Sequence, residues 1–119
     1  MKIEIIKILD RGDKENERLW LKVLEDCDLI YYLVIDTIYT SPTSISSIPK
    51  HTFWFKSKKV KAGDYIILYT RKGTPSESKN NQDTTNHFFF WELDKPLWGD
   101  KENCAVLYEI NSWKTSLKE

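Results

Sequence analysis

The sequence predicts an all-β domain, and three observations carry that prediction. Apolar and β-branched residues alternate with polar ones in short runs, most clearly over Glu17 to Leu24. Turn signals separate those runs, and the clearest is Ala62-Gly63-Asp64, lying between the aromatic blocks His51–Phe55 and Tyr65–Tyr69. No segment has convincing helical periodicity; Glu17–Asp26 is the single candidate, and the alternation at Leu19, Leu21 and Val23 speaks against it.

The first strand spans residues 3–9, with Ile3, Ile5 and Leu9 on one face, and the charged, Gly12-containing stretch Asp10–Asn16 follows as a loop. The alternating strand 17–24 ends in the acidic turn Glu25-Asp26-Cys27-Asp28. Leu29–Ile35 is continuously apolar, as expected of a strand covered on both faces, and Asp36 closes it. Thr40–Pro49, rich in Ser and Thr, reads as a loop carried over the surface. In the central pair, Gly63 supplies a positive-φ position and Asp64 an acceptor for nearby amides.

Arg71–His87 contains no aliphatic or aromatic side chain. Ordering each residue costs roughly 1–2 kcal/mol, and burial offsets none of that here. The segment is therefore either a mobile hairpin tip or is ordered by a partner. Phe88–Trp91 and Leu93 resume the core, Pro96–Asn103 is a loop anchored by Trp98, and Cys104–Ile110 is the last strand. Trp113 is placed to fold back on the sheet. Residues 1–113 form a single domain and 114–119 a frayed tail. About seven short strands in one small domain match a β-sandwich of immunoglobulin type.

Three segments resemble the lamin-tail domain, an immunoglobulin-like sandwich. Glu17-Arg-Leu-Trp-Leu-Lys-Val with Asp28-Leu-Ile-Tyr-Tyr-Leu-Val-Ile-Asp36 is similar to that family's strand, acidic turn and Asp-Leu-x-x-aromatic-x-Leu unit. His51-Thr-Phe-Trp-Phe through Val60-Lys-Ala-Gly-Asp-Tyr-Ile-Ile-Leu-Tyr69 is similar to its Phe…Pro-Gly-Gly-Tyr-Val-Val-Val pair, with Ala62-Gly63 in place of Pro-Gly. Cys104-Ala-Val-Leu-Tyr resembles its closing strand. The resemblance implies a non-catalytic interaction module that binds protein, nucleic-acid or envelope partners.

Composition narrows the function classes. The 18 basic and 18 acidic side chains cancel, which removes the strongest compositional argument for a nucleic-acid or membrane-surface protein. Glu4 and Lys7 interrupt the apolar run that a signal peptide needs, and Leu29–Ile35 is far too short to span a membrane. The expectation is a soluble cytoplasmic protein with Cys27 and Cys104 as free thiols.

Trp20, Trp54 and Trp91 each alternate out of phase with their apolar neighbours. Together with Trp98 they form a candidate binding face for a protein partner or a second copy of the chain; the competing reading is that these rings fill the core. Lys56, Lys58, Lys59, Lys61, Arg71 and Lys72 concentrate positive charge and form an alternative anion-binding site for nucleic acid, though alternation splits them between two faces. His51, His87, Cys27 and Cys104 are the soft metal ligands, but no two stand at chelating spacing, so neither metal nor cofactor is expected. No hydrolase or phosphate-loop signature occurs, and a non-enzyme is expected; His87, beside the 71–87 loop, is the one plausible acid–base group for a third, enzymatic reading.

Overall fold

The computed structural model describes residues 1–118. The described residues hold eleven strands and no α-helix: β1 (Ile3–Leu9), β2 (Arg18–Val23), β3 (Cys27–Asp28), β4 (Tyr32–Ser41), β5 (Ser44–Ile45), β6 (His51–Trp54), β7 (Lys59–Val60), β8 (Tyr65–Tyr69), β9 (Ser76–Lys79), β10 (Thr85–Phe90) and β11 (Asn103–Glu109). One sheet has the order β1-β2-β8-β10-β9. In the second, β4 is central, with β11 on one side and β6 and β5 on the other, and β3 and β7 form a separate short pair.

Both large sheets contribute to one core. Ile3, Leu19, Leu21, Val23, Ile66 and Leu68 come from the first sheet, Tyr32 and Val34 from the second, and Phe55, Trp91, Leu97 and Trp98 from the connections. The arrangement is compatible with a β-sandwich. At one end the carboxylate of Glu17, itself fully buried, accepts hydrogen bonds from the amides of Gly12 (2.9 Å), Leu97 (2.7 Å) and Trp98 (2.8 Å), tying three segments together.

The expected β2 alternation and the Gly63 turn are both present. Gly63 has φ +93°, and a Cβ there would lie 2.9 Å from Thr84 Cγ2, so conformation and space both require glycine. Three boundaries differ from expectation. Leu29–Tyr31 is a 3-10 turn, not the start of a strand, because Asp28 Oδ1 accepts from the Ile30 amide at 3.0 Å and holds the backbone in a turn. Asp36 does not close β4, which runs on to Ser41; its side chain instead accepts from the His51 amide (2.6 Å) and pins β6. The Thr40–Pro49 loop is shortened by the end of β4 and by β5.

The largest difference lies in 71–87. The segment forms an edge strand and a tight turn: β9 pairs antiparallel with β10 from Ser76↔Phe88 to Lys79↔Thr85. Asn80 organises the tip, accepting from the Gln82 amide (2.9 Å) and donating to Thr84 Oγ1 (2.8 Å) and Asn86 Oδ1 (3.0 Å). The chain leaves β8, crosses to the outer position of β9, and returns as β10 in the gap, so β10 lies parallel to β8. Residues 114–118 carry no strand or helix, and Glu119 of the expected tail lies outside the described residues.

Candidate interaction surface

Side chains of β4 alternate between the two faces of its sheet. Tyr32, Val34 and Asp36 turn toward the core side, leaving Leu33, Ile35 and Thr37 on the outer face. The far half of that face is covered, since Thr37 Oγ1 donates to the carbonyls of Ser46 (3.1 Å) and Ile48 (3.2 Å) in the following loop. The near half is open. There Leu33 stands opposite Trp54 of β6 on one side and Tyr108 of β11 on the other.

Two further rings join them. The Ile110 amide donates to the Tyr31 carbonyl at 2.6 Å, which carries the chain beyond β11 back across the end of the sheet. Trp113 then meets Trp54 edge-on at 5.1 Å between centroids and Tyr31 at 5.9 Å. Trp54 Nε1 donates to the Ile30 carbonyl at 2.8 Å, fixing its ring. Trp54, Tyr108, Tyr31 and Trp113 remain 44 %, 45 %, 46 % and 43 % exposed.

The expected four-tryptophan face is not assembled. Trp54 is exposed, whereas Trp20 is half-buried on the outer face of the five-stranded sheet, edge-on to Tyr65 at 5.6 Å. Trp91 and Trp98 are core residues, 9 % and 0 % exposed, with ring centroids 6.0 Å apart. The alternation around Trp91 has the expected period with inverted phase: Phe90, not Trp91, turns outward, where it stacks on Tyr69 at 5.3 Å. Tyr31, Tyr108 and Trp113 complete the open patch. Only Trp113's expected return to the sheet pointed toward it.

The basic residues are likewise dispersed. Lys58 pairs with Glu77 and Lys72 with Asp94, each at 3.4 Å. Arg71 lies over the rings of Tyr69 and Phe90 and donates to the Glu15 carbonyl. Lys59 and Lys61 border a cleft that also contains Asp64, Glu77 and Asp83, while Lys56 borders a different, aromatic one beside Phe53 and Trp91. No single cationic face results.

His87 is buried, its Nε2 2.9 Å from Asp64 Oδ2 and its Nδ1 3.3 Å from Glu77 Oε2. Asp64 also accepts from the amides of Lys61 (3.1 Å) and Thr85 (3.0 Å), so the pair fastens the β7–β8 turn to β10. His51 packs its ring against the Asp36 carboxylate at 3.1 Å. Cys27 and Cys104 are unpaired thiols, both pushed upward in pKa by burial. Among the described residues no three His, Cys, Asp or Glu side chains stand close enough to hold a metal ion, and no helix is long and apolar enough to cross a membrane.

Of the three carboxylates held below their ordinary pKa among the described residues, Asp28 and Asp64 bridge separate segments and make stability depend on acid. The Ile30 amide leads the contacts that hold Asp28 below its ordinary pKa, with the Ser57 hydroxyl and the Lys58 amide adding to it. At Asp64 burial acts upward, but hydrogen bonds from His87, Thr85 and Lys61 outweigh it and leave the carboxyl lowered. A depressed folded-state value contributes stability that is present above the unfolded value, about 3.9, and is lost as pH falls through the folded one. The urea midpoint is therefore expected to hold near neutrality and drop below about pH 4, with a shallower drop in Asp28→Asn and Asp64→Asn proteins. A midpoint unchanged between about pH 6 and about pH 3 would contradict this.

No protein-family model matches the chain, and no curated protein matches it in sequence.

Proposed function

We propose that the protein is a non-catalytic interaction module, an immunoglobulin-like sandwich of lamin-tail type, that docks a protein partner on the outer face of the β11–β4–β6 sheet. The observation that carries this reading is the contiguous cluster of Tyr31, Trp54, Tyr108 and Trp113 around Leu33, each ring close to half exposed. Single exposed apolar side chains are ordinary, but four large rings collected from separate segments are not. Such rings cover much area with few rotatable bonds, so little conformational entropy is lost when a partner covers them. The lamin-tail likeness rests on the three segments described above, which fall on β2–β4, β6–β8 and β11.

The test compares proteins retained from one cell extract by the immobilised wild-type chain and by Trp54→Ala and Trp20→Ala chains of similar melting temperature. At least one protein is expected to be retained by wild type and by Trp20→Ala, and to fall roughly tenfold or more with Trp54→Ala. Identical retention by all three would remove the patch as a binding surface. Retention of nucleic acid in its place, collapsing steeply with added salt, would favour an anionic polymer as the partner.

A further inference from the structure

A sheet edge exposes unpaired backbone groups, and proteins ordinarily blunt it with bulges, charges or short strands. Four of the five outer strands of the two large sheets are protected in this way, β5 by being only Ser44–Ile45. The β1 register against β2 shifts between Ile5 and Lys7, and β1 carries Glu4 and Lys7. Strand β9 is only Ser76–Lys79 and includes two charges, and β6 is only His51–Trp54. Strand β11 has none of these devices. It pairs with β4 in unbroken register from Asn103 to Glu109, contains no proline, and bears a single charge, at Glu109. That carboxylate is already engaged by the Tyr32 hydroxyl at 2.7 Å.

The alternation of an antiparallel ladder identifies which backbone groups of β11 are free. Tyr39 N donates to Glu102 O and Ile110 N to Tyr31 O, so the even-numbered residues of this strand direct their amides and carbonyls at β4. The odd-numbered residues direct theirs outward. Asn103 is already satisfied, its amide by Asp100 O and its carbonyl by Arg11 Nη2. Ala105, Leu107 and Glu109 have no such partner among the described residues.

We propose that this edge pairs, antiparallel, with β11 of a second copy of the chain about a two-fold axis at Leu107. The inference rests on reading the protein as an interaction module and names its partner. The free groups are symmetric about Leu107, so Leu107 meets its twin and Ala105 meets Glu109 of the other copy. The one charge on the strand therefore never faces itself. On the outer face Tyr108 falls opposite Val106 of the other copy, an aromatic–β-branched pair of the kind that stabilises adjacent strands. The new pairing also continues the patch, because Tyr108 already stands beside Leu33 and Trp54. With 18 basic and 18 acidic side chains, no net charge opposes the approach of two copies.

The test is sedimentation of the full chain over micromolar to millimolar concentration, combined with amide exchange followed by NMR. Wild type is expected to dimerise, with slower exchange at Ala105, Leu107 and Glu109 as concentration rises. Ala105→Pro removes an outward donor twice per dimer without touching the β4 ladder, and is expected to weaken association roughly tenfold or more. A wild-type chain that stays monomeric overturns the pairing, and leaves the patch reading to be judged by the extract comparison. A dimer with no added protection at those three amides, or one undiminished in a folded Ala105→Pro protein, also overturns it. If Ala105→Pro fails to fold, the wild-type exchange pattern decides.

Discussion

Glu17→Leu is expected to lose about 3–5 kcal/mol of folding stability. The side chain is fully buried and its two oxygens satisfy the amides of Gly12, Leu97 and Trp98 at 2.7–2.9 Å. Leucine fills similar volume but accepts nothing, so the buried amides of Leu97 and Trp98 and the part-buried amide of Gly12 lose their acceptor. Each such group costs about 1–3 kcal/mol, partly relieved by local relaxation. A domain of this size has roughly 5–15 kcal/mol in all, so the variant should sit near the edge of folding. Glu17→Gln keeps one acceptor oxygen but turns an NH2 group toward an amide donor, and should fall between wild type and Glu17→Leu. Urea denaturation measures both; a Glu17→Leu midpoint close to wild type would mean that the three amides find other acceptors.

That contact also shows what kind of structure was hidden in the sequence. Strand β2 was legible because Leu19, Leu21 and Val23 are separated by Arg18, Trp20 and Lys22, so period and phase are both written locally. Glu17, at the edge of that pattern, looks like one more acidic surface residue. Two of its three partners lie 80 and 81 positions away, and nothing local announces them. The β10 region fails differently. Phe88-Phe89-Phe90-Trp91 is apolar at every position, so alternation has a period but no phase. The phase is set by the parallel register with β8, which puts Phe88 beside Ile67 and Phe90 beside Tyr69 and leaves Trp91 to the core. The polar 71–87 segment departs from expectation for a third reason. An edge strand needs no apolar side chains when its ladder and an Asn80-centred turn satisfy the backbone.

The aromatic patch was legible at Trp54 and in the expected return of Trp113 to the sheet. The outward phase of Trp54 against Phe53 and Phe55 was readable, and Phe55 is indeed buried. The other rings arrive by tertiary routes. Tyr31 sits in a turn made by Asp28, inside a run that otherwise reads as buried strand. Trp113 is delivered by one backbone bond from Ile110 to Tyr31. Tyr108 becomes part of the patch through the register that sets it beside Leu33. The dispersal of the lysines has an equally non-local cause, since Lys58 meets Glu77 and Lys72 meets Asp94 across different connections.

The same substitution at two tryptophans should separate core from surface. Trp98→Ala is expected to cost about 3–5 kcal/mol, the range for deleting a large buried ring, because the site retains a cavity that its neighbours only partly fill. Trp98 is fully buried against Trp91 and next to Leu97, and its indole N–H makes no hydrogen bond, so the loss is one of packing alone. Trp98→Phe should recover part of it, since a smaller ring still meets Trp91. Trp54→Ala removes a ring that is already 44 % exposed together with one hydrogen bond to Ile30 O, which points to about 1–2 kcal/mol. Thermal or urea unfolding of the pair decides the matter: equal losses would mean that Trp54 is structural and the patch is the rim of the core. A large loss at Trp98 beside a small one at Trp54 leaves an exposed indole that stability does not explain, which is the condition for attributing it to a partner.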